Sequence, residues 1–297
     1  MHWKKRLQWV GLLLALTFLF PLTSSLAGDR GPEAPIPEQP PADADGLWIP
    51  RTPEEKAIFD DIHLPDAATI AEAQREKLRY VPITAEQSDR WDKALEAQMQ
   101  ALMHRLPEKE LASLDIDSLA AYIDMQALFA ASGIDPAVGE VAKVDSKSNV
   151  NLGVARHGDF LLGHNGWRPW GYWNHAAMWD AYHGNSKTLH ARGYGWGVRH
   201  DASNWFRTHY RKAAVMGVWT SAYVRYSAGW YARAQVGEPY TIWTSKTNQS
   251  RWYCSKLVWA SYYWRSGRVI DLDSNGGYWV TPNNLWYSGW TYIRSIG

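Results

Sequence analysis

Cysteine is almost missing from this chain: Cys254 is the single one in 297 residues. That excludes an intramolecular disulfide framework and any zinc cluster built from several cysteines. Uninterrupted apolar sequence is scarce too. The longest run, Val10 to Phe20, is short of the roughly 20 residues that span a bilayer, and no other segment could cross one. No cysteine follows that run, which rules out a lipid-modified N-terminal cysteine. Net charge is nearly absent, at +1, and the composition fits no collagenous, coiled-coil or disordered class.

The N-terminus carries Lys4, Lys5 and Arg6, then the apolar run, then Ser25-Leu26-Ala27. Residues 1–27 therefore read as a secretory signal peptide and predict export to a periplasm, a wall or the medium. In an oxidising compartment an unpaired thiol is a liability unless its reactivity is used. Cys254 is thus either a nucleophile or a buried structural thiol.

The small net charge conceals two opposed halves. From Gly28 to Val150 there are 24 acidic and 12 basic residues; from Asn151 to Gly297 there are 6 acidic and 16 basic. Fifteen of the 19 tryptophans lie at or after Trp167. A shift this large predicts a domain boundary near residue 150.

Residues 28–50 are rich in Pro, Ala, Asp and Glu and read as a linker. Residues 51–150 form an acidic helical region. Pro53-Glu54-Glu55 opens a turn, Thr84-Ala85-Glu86-Gln87 is a capping-box pattern, and Trp91, Leu95, Met99 and Leu102 follow at helical spacing until Leu106-Pro107. A second apolar series from Leu111 to Leu128 runs to Gly133, with Asp117 or Ser118 as caps. After Asn151 the pattern changes. Phe160 to Gly163 and His175 to Trp179 read as buried strands, with weaker strands at Thr188 to Arg192 and Tyr240 to Trp243. Ala202 to His209 and Ala213 to Ala234 read as partly helical. Cys254 to Trp264 is a helix that stops at Gly267, so residues 151–297 predict an α+β domain.

A cysteine in the first turn of a helix faces unpaired N–H groups and the positive end of the dipole. A cationic neighbour can then draw its pKa from about 8.5 into the range of about 3.5 to 7.5. Such a thiolate needs a base. Of the seven histidines from His157 to His209, His175 is best placed, because it opens a strand after the Trp170-Gly171-Tyr172-Trp173-Asn174 turn. His190, on the next strand, could orient it. A zinc site is the competing use of these histidines, but gaps of 7 to 11 residues give no H-x3-H or C-x2-C spacing, so neither metal nor cofactor is expected.

Five ordered segments carry a resemblance: Gly158-Asp159-Phe160-Leu161-Leu162, Trp173-Asn174-His175-Ala176-Ala177-Met178, Gly237-Glu238-Pro239-Tyr240, Tyr253-Cys254-Ser255-Lys256-Leu257-Val258-Trp259 and Val280-Thr281-Pro282-Asn283-Asn284-Leu285. Together they resemble the circularly permuted NlpC/P60, or YiiX-like, branch of papain-like cysteine hydrolases. The likeness covers 151–297 alone. It implies Cys254 as nucleophile, His175 as general base and acid, and His190 or Asp180 as third member. It also implies an oxyanion hole at the Cys254 N–H, with Tyr253 or Asn174 as side-chain donors. Trp167, Trp170 and Trp173 are candidate cleft residues.

These readings predict acyl transfer through a Cys254 thioester, with an amide of the cell envelope, such as a peptidoglycan peptide, as substrate. The alternatives are a lipid-directed acyl hydrolase or acyltransferase, since the scaffold also resembles lecithin:retinol acyltransferase-like proteins, and a non-catalytic polymer-binding module. The basic half suits an anionic polymer or lipid as partner, and export argues against nucleic acid. The charge contrast further predicts that the acidic helical region docks on the basic domain and limits access to Cys254.

Overall fold

The computed structural model describes residues 62–81, 83–138 and 147–297, together with Pro53, Glu54 and Ala57. The expected signal peptide at 1–27 and linker at 28–50 lie outside the described residues. Among those described, no helix is long and apolar enough to cross a membrane.

The acidic segment is helical where its sequence has helical spacing. Helix α1 (Ala67–Leu78) is capped by Asp66, and α2 (Ala85–Arg105) by the reciprocal Thr84–Gln87 box, before ending at Leu106. Trp91, Leu95, Met99 and Leu102 form its buried stripe. The second apolar series is not continuous. It divides into α3 (Glu108–Ser113), α4 (Ile116–Leu119) and α5 (Met125–Ser132). Asp115 and Asp124 cap α4 and α5, in place of the expected Asp117 or Ser118, because each accepts a backbone N–H three residues on. Gly133, at φ 66°, closes α5.

The remainder is an antiparallel sheet with helices, an α+β arrangement. Its strands are β1 (Phe160–His164), β2 (His175–Trp179), β3 (Thr188–Ala191), β4 (Val198–Asp201), β5 (Lys212–Val218) and β6 (Thr291–Ile296), ordered β4-β3-β2-β1-β5-β6. Interleaved are α6 (Trp205–His209), α7 (Ala222–Ala234), α8 (Cys254–Arg265) and α9 (Pro282–Tyr287). Of the stretch expected to be partly helical, Ala222–Ala234 is helix, whereas its start is strand: β5 pairs with β1 on one side and β6 on the other, and two ladders outweigh the helix propensity of its alanines. One sequence expectation fails. Tyr240 to Trp243 is no strand, since only an isolated parallel bridge joins Tyr240 to Trp252.

Strand alternation divides the core. Phe160, Leu162, Ala176, Met178, Leu189 and Ala191 face the same cluster as Cys254, Leu257 and Val258, whereas Leu161, Ala177 and Trp179 pack with Phe206 on the other side. Eleven of the twelve α8 residues are buried, which makes it the central helix. Trp91 and Leu95 of the acidic segment join that same cluster, so the segment shares a core with the sheet.

The seam between them is built from hydrogen bonds and rings. Trp91 Nε1 donates to the Pro169 carbonyl (2.9 Å), Trp167 Nε1 to that of Val138 (2.9 Å), and the two indoles lie 5.0 Å apart. Lys77 Nζ donates to Ser288 O (3.1 Å) and Thr291 Oγ1 (3.0 Å). Asp92 accepts from Asn284 Nδ2 (2.9 Å) and Asn275 Nδ2 (3.1 Å). The ion pairs described for the acidic segment, Arg75–Glu72, Arg90–Glu86 and Lys93–Asp89, all lie within it. Its attachment to the basic half therefore rests on packing rather than on the charge contrast.

Candidate active site

Three of the ordered segments position Cys254. Gly158 adopts φ 87° with the Arg225 carbonyl oxygen 2.0 Å from where a Cβ would stand, so only glycine fits. Its own carbonyl accepts from Tyr262 Oη of α8 (2.7 Å), which ties the helix to the start of β1. Before α8, Trp252 N donates to Pro239 O (3.0 Å) and Thr241 N to Trp252 O (2.8 Å). At the helix start, Val280 N donates to Tyr253 Oη (3.1 Å) and Ser255 Oγ to Val280 O (2.7 Å). Cys254 is thereby clamped from both sides.

Another segment sets the turn before His175. Thr281 caps α9 in a box with Asn284, and Pro282 takes the first turn, where a missing N–H costs nothing. This presents Asn283, whose Oδ1 accepts from Trp173 N (3.0 Å) and whose amide fills the space beside Gly171. The chain then enters β2 at His175.

His175 Nε2 lies 2.7 Å from His190 Nδ1, and His190 Nε2 lies 2.9 Å from Asp201 Oδ2. Asp201, the last residue of β4, went unrecognised in the sequence. The signal was present: only six carboxylates follow Asn151, and β4 pairs with β3 so that Arg199 stands opposite His190 and Asp201 two residues on. Burial raises the Asp201 carboxyl, but the bond from His190 and the charges of His190, Arg192 and Arg199 outweigh it and hold it below the usual range.

An ionised Asp201 can only accept, which fixes every proton in the row. It places a proton on His190 Nε2, leaves His190 Nδ1 as acceptor, and so puts the His175 proton on Nε2. His175 Nδ1 is left with a free lone pair.

Cys254 is 1% exposed. Tyr253, the N-cap of α8, supplies no side-chain cap, and the N–H groups of Ala176, Ser255 and Cys254 itself face the sulfur. The Ala176 N–H puts the thiol one residue from His175. Sγ has Ser255 Oγ at 3.9 Å, and among the described residues no hydrogen bond joins it to the His175 ring. That ring leans toward α6, with Phe206 at 6.0 Å and Tyr210 at 6.3 Å. As the first residue of β2, His175 sits at the strand end, beside the Tyr210 ring.

The resting protonation differs from the sequence expectation of a lowered thiol pKa. Burial pushes the Cys254 thiol up, against the opposing N–H groups. Burial also holds His175 well below its ordinary value, reinforced by His190 and Arg192. Both groups rest neutral because water is excluded from both.

Other expected residues are placed elsewhere. Asp180 serves a separate cluster, with His200 Nε2 at 2.9 Å, His157 Nδ1 at 3.3 Å and the Arg233 guanidinium on its carboxylate. The Asn174 amide nitrogen donates to the carbonyls of Gly166, Gly171 and Tyr172, which spends its donors within the turn. Trp173 is wholly buried against Trp286 (5.0 Å), and Trp170 is equally buried. Tyr253 is buried too, with its oxygen accepting from Val280. Of the groups expected to face a reacting oxygen, the Cys254 backbone N–H lies at the α8 start, where the N-cap supplies no side-chain bond.

No group of three or more His, Cys, Asp or Glu among the described residues could hold a metal ion. Comparison of this chain with family models, with curated proteins and with solved structures finds no match.

Proposed function

We propose that this chain is an exported cysteine hydrolase of the permuted papain-like type, acting on an amide of the cell envelope through a thioester at Cys254. The observation that carries this reading is the row His175, His190, Asp201, which leaves an unprotonated His175 Nδ1 one residue before Ala176, a member of the core cluster that holds Cys254. When substrate draws thiol and imidazole together, His175 Nδ1 takes the sulfur proton and Sγ bonds to the carbonyl carbon. The oxygen anion is held by the Cys254 N–H at the α8 start. Collapse breaks the C–N bond, and His175 returns the proton to the leaving amine. Water, giving its proton to the same nitrogen, then releases the acid and restores the thiol.

One surface favours an anionic substrate. Beside the row, the β3–β4 hairpin exposes Trp196 with the guanidinium carbons of Arg192 and Arg199 at 4.4 Å and 5.0 Å from its ring. A lipid headgroup would also meet this surface. Intact-mass analysis after exposure to peptidoglycan fragments and, separately, to acylated lipids separates the two. A peptidyl adduct on Cys254, lost in Cys254→Ala, is expected. Turnover retained by Cys254→Ala would overturn the proposal.

A further inference from the structure

A cleft of about 400 Å³ adjoins the His175 row. It is lined by Lys147, Arg168, His209 and Arg211, by Tyr210, and by no acidic residue. Two rings tie it to the row. The Tyr210 ring lies over Gly163, 2.4 Å from where a Cβ would stand, and Gly163 is the strand partner of His175. The rings of Tyr210 and His175 are 6.3 Å apart. His209 stacks on Trp205 at 4.3 Å, and Trp205 lies 5.6 Å from His175 and 4.7 Å from His190. The backbone carrying the cations is pinned. Asn165 Nδ2 donates to His209 O (2.7 Å) while its Oδ1 accepts from Arg211 N (2.9 Å). Ser148 N donates to Tyr210 O (2.8 Å), and Arg168 and Gly171 bond each other through both backbone groups (3.2 Å and 2.7 Å). The charged ends are left over. Among the described residues no ion pair and no side-chain hydrogen bond engages Lys147, Arg168 or Arg211. The hairpin arginines differ, since Arg192 and Arg199 each stand 3.4 Å from Asp201.

We propose that this cleft is a substrate subsite for a free carboxylate, gripped by Arg168 and Arg211, that selects acidic peptides for the His175 row. This rests on the hydrolase reading for its place in turnover but not for its binding. Cations gathered around one cavity repel one another, and an anion bound among them relieves that repulsion. A guanidinium presents a planar fork of donors that matches a carboxylate, and Lys147 adds a point charge. The 6.3 Å from His175 to the Tyr210 ring already equals about two residues of extended chain. The carboxylate therefore lies two or more residues from the amide attacked. A phosphate would offer similar oxygens, and the peptide reading of the substrate is what favours the carboxylate.

Binding is separated from turnover by titrating acetyl-tetra-alanine, and the same peptide with a C-terminal amide, into full-length Cys254→Ala in a calorimeter. The acid should bind about tenfold tighter than the amide, the scale of one charge-assisted pair. Arg168→Gln and Arg211→Gln, at an exposed and a half-buried position, should each shrink that preference in the same background and leave binding of the amide unchanged. Equal affinity for acid and amide, a preference that survives both substitutions, or tighter binding of inorganic phosphate than of the acid would overturn the proposal. A carboxylate preference in Cys254→Ala, with no thioester formed by the parent, would defeat the hydrolase reading and leave the subsite in place. Thioester formation by the parent at equal rates from acid and amide peptides would do the reverse.

Discussion

Lys77 should make the stability of this protein depend on pH in a way that one substitution removes. Its side chain is 1% exposed, and burial lowers its pKa from 10.5 to about 7. At about 1.4 kcal/mol per pH unit, that gap destabilises the folded state by about 5 kcal/mol wherever the lysine is charged in both states. The unfolded chain binds the extra proton between pH 7 and 10.5, so stability rises with pH across that window. Below it the penalty is full and constant; above it the penalty is gone. Between pH 6 and pH 9 the relief amounts to about 2 to 3 kcal/mol. Lys77→Met keeps the volume, and the hydrogen bonds it gives up leave few groups stranded, because Ser288 O still accepts from Thr291 Oγ1 (3.0 Å). Urea unfolding at both pH values, parent against Lys77→Met, isolates the lysine from every other titrating group. The parent should gain about 2 to 3 kcal/mol more than the variant on going to pH 9. Parallel pH dependences would show that the amine is hydrated or charged in place, and the reasoning would fail.

Asp201→Asn should cut single-turnover thioester formation by about two to four orders of magnitude, since an amide no longer dictates which nitrogen of His190 is protonated. A rate within threefold of the parent, about 0.7 kcal/mol, would remove Asp201 from the row. Gly158→Ala should destabilise by about 3 kcal/mol or more, because its Cβ would enter the Arg225 carbonyl at a positive φ. An unchanged thermal midpoint would contradict that contact.

Much of the fold was legible where one local signal sufficed. The Thr84–Gln87 box, the α2 stripe, the apolar runs of β1 and β2 and the start of α8 at Cys254 are all written in consecutive residues. What was not legible depends on partners far away in sequence. Lys212–Val218 is strand only because β1 and β6 lie on both its sides, and β6 begins 73 residues after β5 ends, at Thr291 after Val218. His190 could be nominated from its strand, but Asp201 needed the β3–β4 register. The lowered thiol pKa failed for a related reason. A helix start argues for a stabilised anion, and nothing local announces that the folded chain will leave the thiol 1% exposed, so that burial outweighs the helix start.

The sheet order carries a consequence for how the molecule is made. β5 waits for β6, whose last bonds join Gly297 to Ala213, and α1 waits for Ser288 and Thr291 before Lys77 has anywhere to put its amine. Neither the edge of the sheet nor the seam of the acidic segment can close while the chain emerges in order. Folding is therefore governed by contacts of long sequence separation and is slow compared with synthesis of any one element. During that interval Cys254, 1% exposed in the folded chain, lacks that burial, and the pairing of β6 with β5 completes the sheet against which its helix packs.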